Sequence, residues 1–172
     1  MLPGYDKSAS VNGGGRGDYK IARPGTYVMV VRGIKQRVVR EQPHYVIDLE
    51  EVPPEEEDRR GQTWALWFLW DKAERNFSTV DAQKYHSRAR WNRFLKACEI
   101  PEEKAQLQIA DILNQVLRID VVAAIDKDTQ QQRFNRDGSA KLWLRDMHPA
   151  SAADRRAAVD YLRAEYKDEA EG

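Results

Sequence analysis

No run of apolar residues in this chain approaches the ~18–20 needed to cross a bilayer, and the start, Met1-Leu2-Pro3-Gly4-Tyr5, has neither the basic residues nor the apolar stretch of a secretory signal. Those absences lead to the expectation of a cytoplasmic protein with no membrane partner. Cysteine is nearly missing: Cys98 stands alone, which excludes an internal disulfide framework and fits a reducing compartment. His44, His86, His148 and Cys98 show no zinc-ligand spacing. Net charge is absent too, since 28 basic side chains balance 28 acidic ones. The chain is therefore not a generic polycation that coats any phosphate backbone. Catalytic signatures are missing: there is no Gly-x-Ser-x-Gly, no His-Glu-x-x-His and no phosphate loop after Gly13-Gly14-Gly15. His86 and Cys98, on one expected helix, lie about three turns apart, too far for a base and its nucleophile. Asp126, Asp128, Asp137 and Asp146 lack the spacing of a calcium loop, and turn chemistry accounts for acidic residues there. The expectation is a protein that is not an enzyme and takes no metal or cofactor.

What the chain has is aromatic density in one place. Thr63-Trp64-Ala65-Leu66-Trp67-Phe68-Leu69-Trp70 holds three of the five tryptophans. Read with period 2, Trp64, Leu66, Phe68 and Trp70 share one face, and Thr63, Ala65, Trp67 and Leu69 the other. A strand apolar on both faces is either buried on both or uses its second face for a ligand. Exposed aromatics in a charged β domain suit single-stranded nucleic acid, because every base offers a π-face. The balanced total also hides local charge: residues 71–100 hold 7 basic and 4 acidic side chains, residues 51–60 only 2 against 5.

Residues 1–22 read as a flexible Gly/Ser-rich arm. After Pro24-Gly25, Thr26 to Arg32 is a β-branched strand, and Gly33, mid-run before Ile34, predicts a bulge or bend rather than a strand end. His44 to Val52 alternates as a second strand, and an acidic connection leads into the tryptophan strand. A helix follows, capped at Ser78 or Thr79 and ended by Pro101, with Val80, Trp91, Leu95 and Cys98 on its apolar stripe. A second short helical segment is expected within 105–115. Val116 to Ile125 and Ala140 to Met147 make the last two strands, separated by a polar hairpin at 126–138. Ser151 with Asp154 opens a final helix to about Tyr166, followed by a short acidic tail. The boundaries are thus an arm at 1–22, one domain at 23–149, and a C-terminal helix and tail at 150–172. The predicted fold is β-rich α+β: a five-stranded OB-fold-like barrel with a helix between strands three and four and a C-terminal helix.

Pro24-Gly25-Thr26-Tyr27, Trp67-Phe68-Leu69-Trp70, the helix end Arg93-Phe94-Leu95-Lys96-Ala97-Cys98-Glu99-Ile100-Pro101 and Leu117-Arg118-Ile119-Asp120-Val121 give the chain a resemblance to a known family. Over about residues 24–147 it resembles the phage-encoded OB-fold single-stranded-DNA-binding proteins of recombination and replication gene cassettes. The resemblance implies a protein that holds unpaired strands during phage DNA replication or recombination, with replication or recombination proteins, or a second copy, as candidate partners. It departs from bacterial single-strand binders at its end: Glu171-Gly172 lacks the apolar tip that docks on partners. The alternative reading is a protein–protein module, an OB-like barrel whose aromatic face docks a partner or itself.

Strand alternation selects the contact residues. With Tyr27, Met29, Val31, Tyr45, Ile47, Leu49, Leu66 and Phe68 inward, the outer face carries Arg32, Lys35, Arg37, His44 and Trp67. The hairpin tip adds Lys127, Arg133, Phe134 and Arg136, a stacking finger flanked by cations. The cations of the central helix are expected to be solvated, and Trp91 and Trp143 are expected in the core.

Overall fold

The structure, a computed structural model, describes residues 20–39, 41–69, 87–104 and 106–171. The expected arm up to residue 19, Arg40, Trp70 and the helix cap at Ser78 or Thr79 lie outside the described residues. Strands β1 (Gly25–Val39), β2 (Gln42–Glu51) and β3 (Thr63–Leu69) are followed by helix α1 (Ser87–Ala97) and the short α2 (Ile109–Ile112). Strands β4 (Val116–Ala123) and β5 (Leu142–Pro149) and helix α3 (Ala152–Glu171) complete the chain. The strands form one antiparallel sheet in the order β3-β2-β1-β4-β5. The fold is thus β-rich α+β with a helix between strands three and four. The sheet is not closed into a barrel, because its edges β3 and β5 do not pair. Helix α1 packs against both edge strands instead.

β1 is the long strand that holds the two halves together. Gly25–Val30 pair with β4, while Met29–Val39 pair with β2. Its register slips between Val31 and Gly33, at the expected bulge, and the strand runs on through Lys35 and Arg37. The alternation sends Met29, Val31, Ile47, Leu49, Leu66 and Phe68 into one core with Phe94 and Ala97 of α1 and Cys98 just after it. Cys98 is buried there, and burial pushes its thiol up to about 12. Helix α1 ends before Pro101: Glu99 turns left-handed, at φ 57°, while the Ile100 N–H donates to the Leu95 carbonyl. Core packing also extends before residue 23. Ile21 is buried in the main core, and its N–H donates to the Thr63 carbonyl at 3.0 Å, alongside β3.

The opposite face of the sheet carries a second, smaller core of Val30, Val52, Val116, Ala150 and Ala158, formed where α3 covers the β1–β4 half. The Ser151 N–H donates to Asp154, and the Asp154 N–H to the Ser151 hydroxyl, so the predicted capping pair forms reciprocally. The helix then continues to Glu171, through the residues expected to form a tail. Arg118 of β4 anchors its first turn, with Nε 2.7 Å and Nη2 2.9 Å from the Asp154 carboxylate. That double hydrogen bond, helped by Ser151 and opposed by burial, holds the Asp154 carboxyl down at about 2. A carboxyl depressed on folding stabilises the native state above its unfolded value of 3.8 and loses that contribution as pH falls towards 2. Asp154→Asn should therefore lower the melting temperature at pH 7 and flatten the decline in stability between about pH 5 and 2. Parallel melting curves for the two proteins across that window would refute the role.

Candidate nucleic-acid interface

On the β1–β2–β3 half of the outer face, α3 reaches β2 at Glu50, while Arg37 and Trp67 stay exposed. Cross-strand register pairs Arg37 with His44, Lys35 with Val46, and Val46 with Trp67, so these side chains stand on one side of the sheet. Trp67 is 44% exposed, while its neighbours Leu66 and Phe68 are buried. The His44 ring meets the Trp67 indole edge-on with centroids 5.9 Å apart. Lys35 Nζ lies 3.1 Å from Asp48, and Arg37 is exposed at the outer end of the strand. A concavity of about 440 Å³ opens here, lined by Arg32, Lys35, Thr63, Ala65 and Trp67 among others. The five face residues named from alternation are thus brought together, and the concavity adds Lys20 at its margin. Val46 shares this side but is buried beneath its neighbours.

Two buried acidic groups anchor this end of β2, one on each side of the sheet: Glu50, paired with Val30, and Glu51, paired with Met29. Glu50 is buried and accepts from the Tyr161 hydroxyl of α3 at 2.8 Å; that hydroxyl in turn accepts from the Gly61 N–H at 3.1 Å. Glu51, also buried, takes both Nη groups of Arg59 at 2.7 and 3.0 Å and the Gln62 N–H at 3.1 Å. Arg59, strengthened as a base chiefly by its Glu51 hydrogen bond, is thereby committed to structure rather than to a ligand.

The β4–β5 connection folds as two nested turns rather than one open tip. The Asp126 carboxylate accepts the Asp128 and Thr129 N–H groups, and Asp137 accepts the Ser139 N–H. Phe134 does not tuck under the loop; it is 61% exposed. Lys127 and Arg136 are exposed on the same connection, and Arg133 turns back so that its guanidinium stands 5.8 Å over the Trp143 ring. Trp143 is therefore not a core residue. It is 39% exposed, because β5 alternates and Leu142 and Leu144 take the inward positions. Trp91 does pack on the core, edge-on to Phe68 with centroids 5.0 Å apart.

Two helix cations also depart from the expected solvated face. Arg90 Nη1 donates to the Trp67 carbonyl at 3.2 Å and its guanidinium lies 5.6 Å over the Phe68 ring. Burial first, then the charge of Arg93, lowers its pKa. Arg93 donates to Asp146 of β5. The signal for Arg90 was present in the sequence: Phe94 and Ala97 follow it by four and seven positions, which puts it on the buried stripe. No protein-family model matches the chain, and no curated protein matches it.

Proposed function

We propose that this protein binds single-stranded DNA, holding unpaired strands by stacking bases on aromatic rings while Arg and Lys track the phosphates. The observation that carries the reading is Trp67: a large ring half exposed in a strand whose neighbouring residues are buried, set among Arg32, Lys35, Arg37 and His44. A structural tryptophan on this strand has room in the core, as Trp64 demonstrates by packing against it. The strand order, the bulge in β1 and the helix between strands three and four support an open variant of the OB barrel, whose strand face and loops suit oligonucleotides. The setting in phage replication or recombination rests on the family resemblance alone. No nucleotide is consumed in this reading.

Titrating a dT oligonucleotide while following tryptophan fluorescence tests it. Saturable quenching that weakens as salt rises is expected, since released counterions supply part of the affinity. No quenching at high protein concentration would remove the DNA reading and leave the face to a protein partner. Trp67→Ala sharpens the test. It should weaken binding by about 1–3 kcal/mol and change the melting temperature little. Unchanged affinity together with a large drop in melting temperature would show that the indole serves the fold.

A further inference from the structure

Resting on the single-stranded DNA reading, we propose that the strand does not end at Trp67 but continues over Arg90 to a second stacking station at Trp143. A cavity of about 500 Å³ lies between α1, β5 and the β4–β5 connection. The exposed Trp143 ring forms part of it, and Leu144 and Met147 supply apolar lining. Arg90, Arg93, Lys127 and Arg145 also line it, against a single carboxylate, Asp146, which Arg93 already engages. Lys127 and Arg145 make no ion pair among the described residues. An aromatic ring, an apolar lining and cations in excess suit a ligand that is flat and apolar at one end and anionic at the other. A nucleotide has that chemistry. Arg133 stands over one face of the Trp143 ring in the free protein without lining the cavity; a base stacked on that face would displace it and leave the guanidinium to a phosphate.

What joins this cavity to the first face is Arg90. The residue lines the cavity with Trp143 and also donates to the Trp67 carbonyl at 3.2 Å. One side chain thus joins the β3 backbone at Trp67 to the Trp143 cavity, lying over the inward Phe68 ring rather than beside the outward indole.

The experiment compares dT oligonucleotides of about 4 and about 16 nucleotides, the limits of one domain's usual site size, on the wild-type chain and on Trp143→Ala. The longer oligonucleotide should bind the wild-type chain more tightly, and Trp143→Ala should lose roughly 5- to 100-fold in affinity for it. A Trp143→Ala protein that keeps full affinity for the long oligonucleotide, while Trp67→Ala does not, overturns the second station and leaves the first standing. Absence of binding by the wild-type chain overturns both. Arg145→Glu, at an exposed position, covers the case in which Trp143→Ala does not fold: it should weaken long-oligonucleotide binding with an unchanged melting temperature, and unchanged affinity counts against the proposal. Poly-glutamate bound as tightly as dT at the same salt would reduce the cavity to a generic anion patch and overturn base recognition.

Discussion

Phe68→Ala should destabilise the fold by about 3–5 kcal/mol, the cost of deleting a fully buried aromatic ring and leaving its cavity. The ring lies at the centre of the aromatic group in the main core, with Trp91 at 5.0 Å and Phe94 at 5.9 Å between centroids. Those rings belong to α1, so the lost contacts are the ones that hold the helix to β3. The ring also supports Arg90 at 5.6 Å, and its removal should loosen that side chain as well. Urea denaturation gives the number directly. A loss under about 1 kcal/mol, the size of an ordinary substitution, would mean that α1 does not depend on this ring. The comparison with Trp67→Ala is the informative one: adjacent residues in one strand should separate cleanly, one acting on stability and the other on binding.

Gly61→Ala should cost about 3 kcal/mol or more, at or above the upper end of ordinary overpacking. A Cβ at this position would stand 1.9 Å from the Glu51 carbonyl oxygen and 2.9 Å from its carbon. Both are backbone atoms of β2, so no side chain can swing aside to make room. Relief requires the β2–β3 connection to move outwards, which strains the Glu51 N–H to Gln62 carbonyl hydrogen bond of 2.7 Å. The same movement pulls the Gly61 N–H from Tyr161 and disturbs the hydroxyl that Glu50 needs. Leaving a buried acceptor without its donor adds a further penalty of about 1–3 kcal/mol. Thermal melts should show a lower transition, and α3 should become protease-sensitive first. A variant that melts with the wild-type protein would show that the connection yields freely and that α3 is held by its apolar contacts alone.

The strands were legible because their alternation is strict. Tyr45, Ile47 and Leu49 against His44, Asp48 and Glu50, and Leu66 and Phe68 against Ala65 and Trp67, give one inward and one outward row each, and the structure keeps both. Serine at 151 and aspartate at 154 announced the α3 cap for a similarly local reason. Trp143 was misread because its parity is shared by exposed Arg145 and by buried Met147, and the register shift between Leu144 and Asp146 that separates them leaves no mark in the sequence. The period failed in a second place, past Ala123, where Ala124 is buried and Ile125 is exposed as the strand gives way to the nested turns. Closure of the sheet was not legible at all. Whether β3 meets β5 depends on how the sheet coils and on where α1 sits, and neither leaves a mark in the sequence of either strand.

The division of β1 between two partners also bears on the order in which the chain can assemble as it is synthesised. Its later half finds β2 immediately, within a hairpin. Its earlier half must wait for β4, and Thr26 reaches Asp120 across 94 residues. The apolar Val28 and Val30 are covered only once α3 exists, and the Tyr161–Glu50 bond spans 111 residues. A ribosome that has delivered the β1–β2–β3 half of the sheet has therefore still not delivered the helix that shields the β1–β4 half. Long-range closure of this kind is slow, and this domain is complete only once α3 has docked.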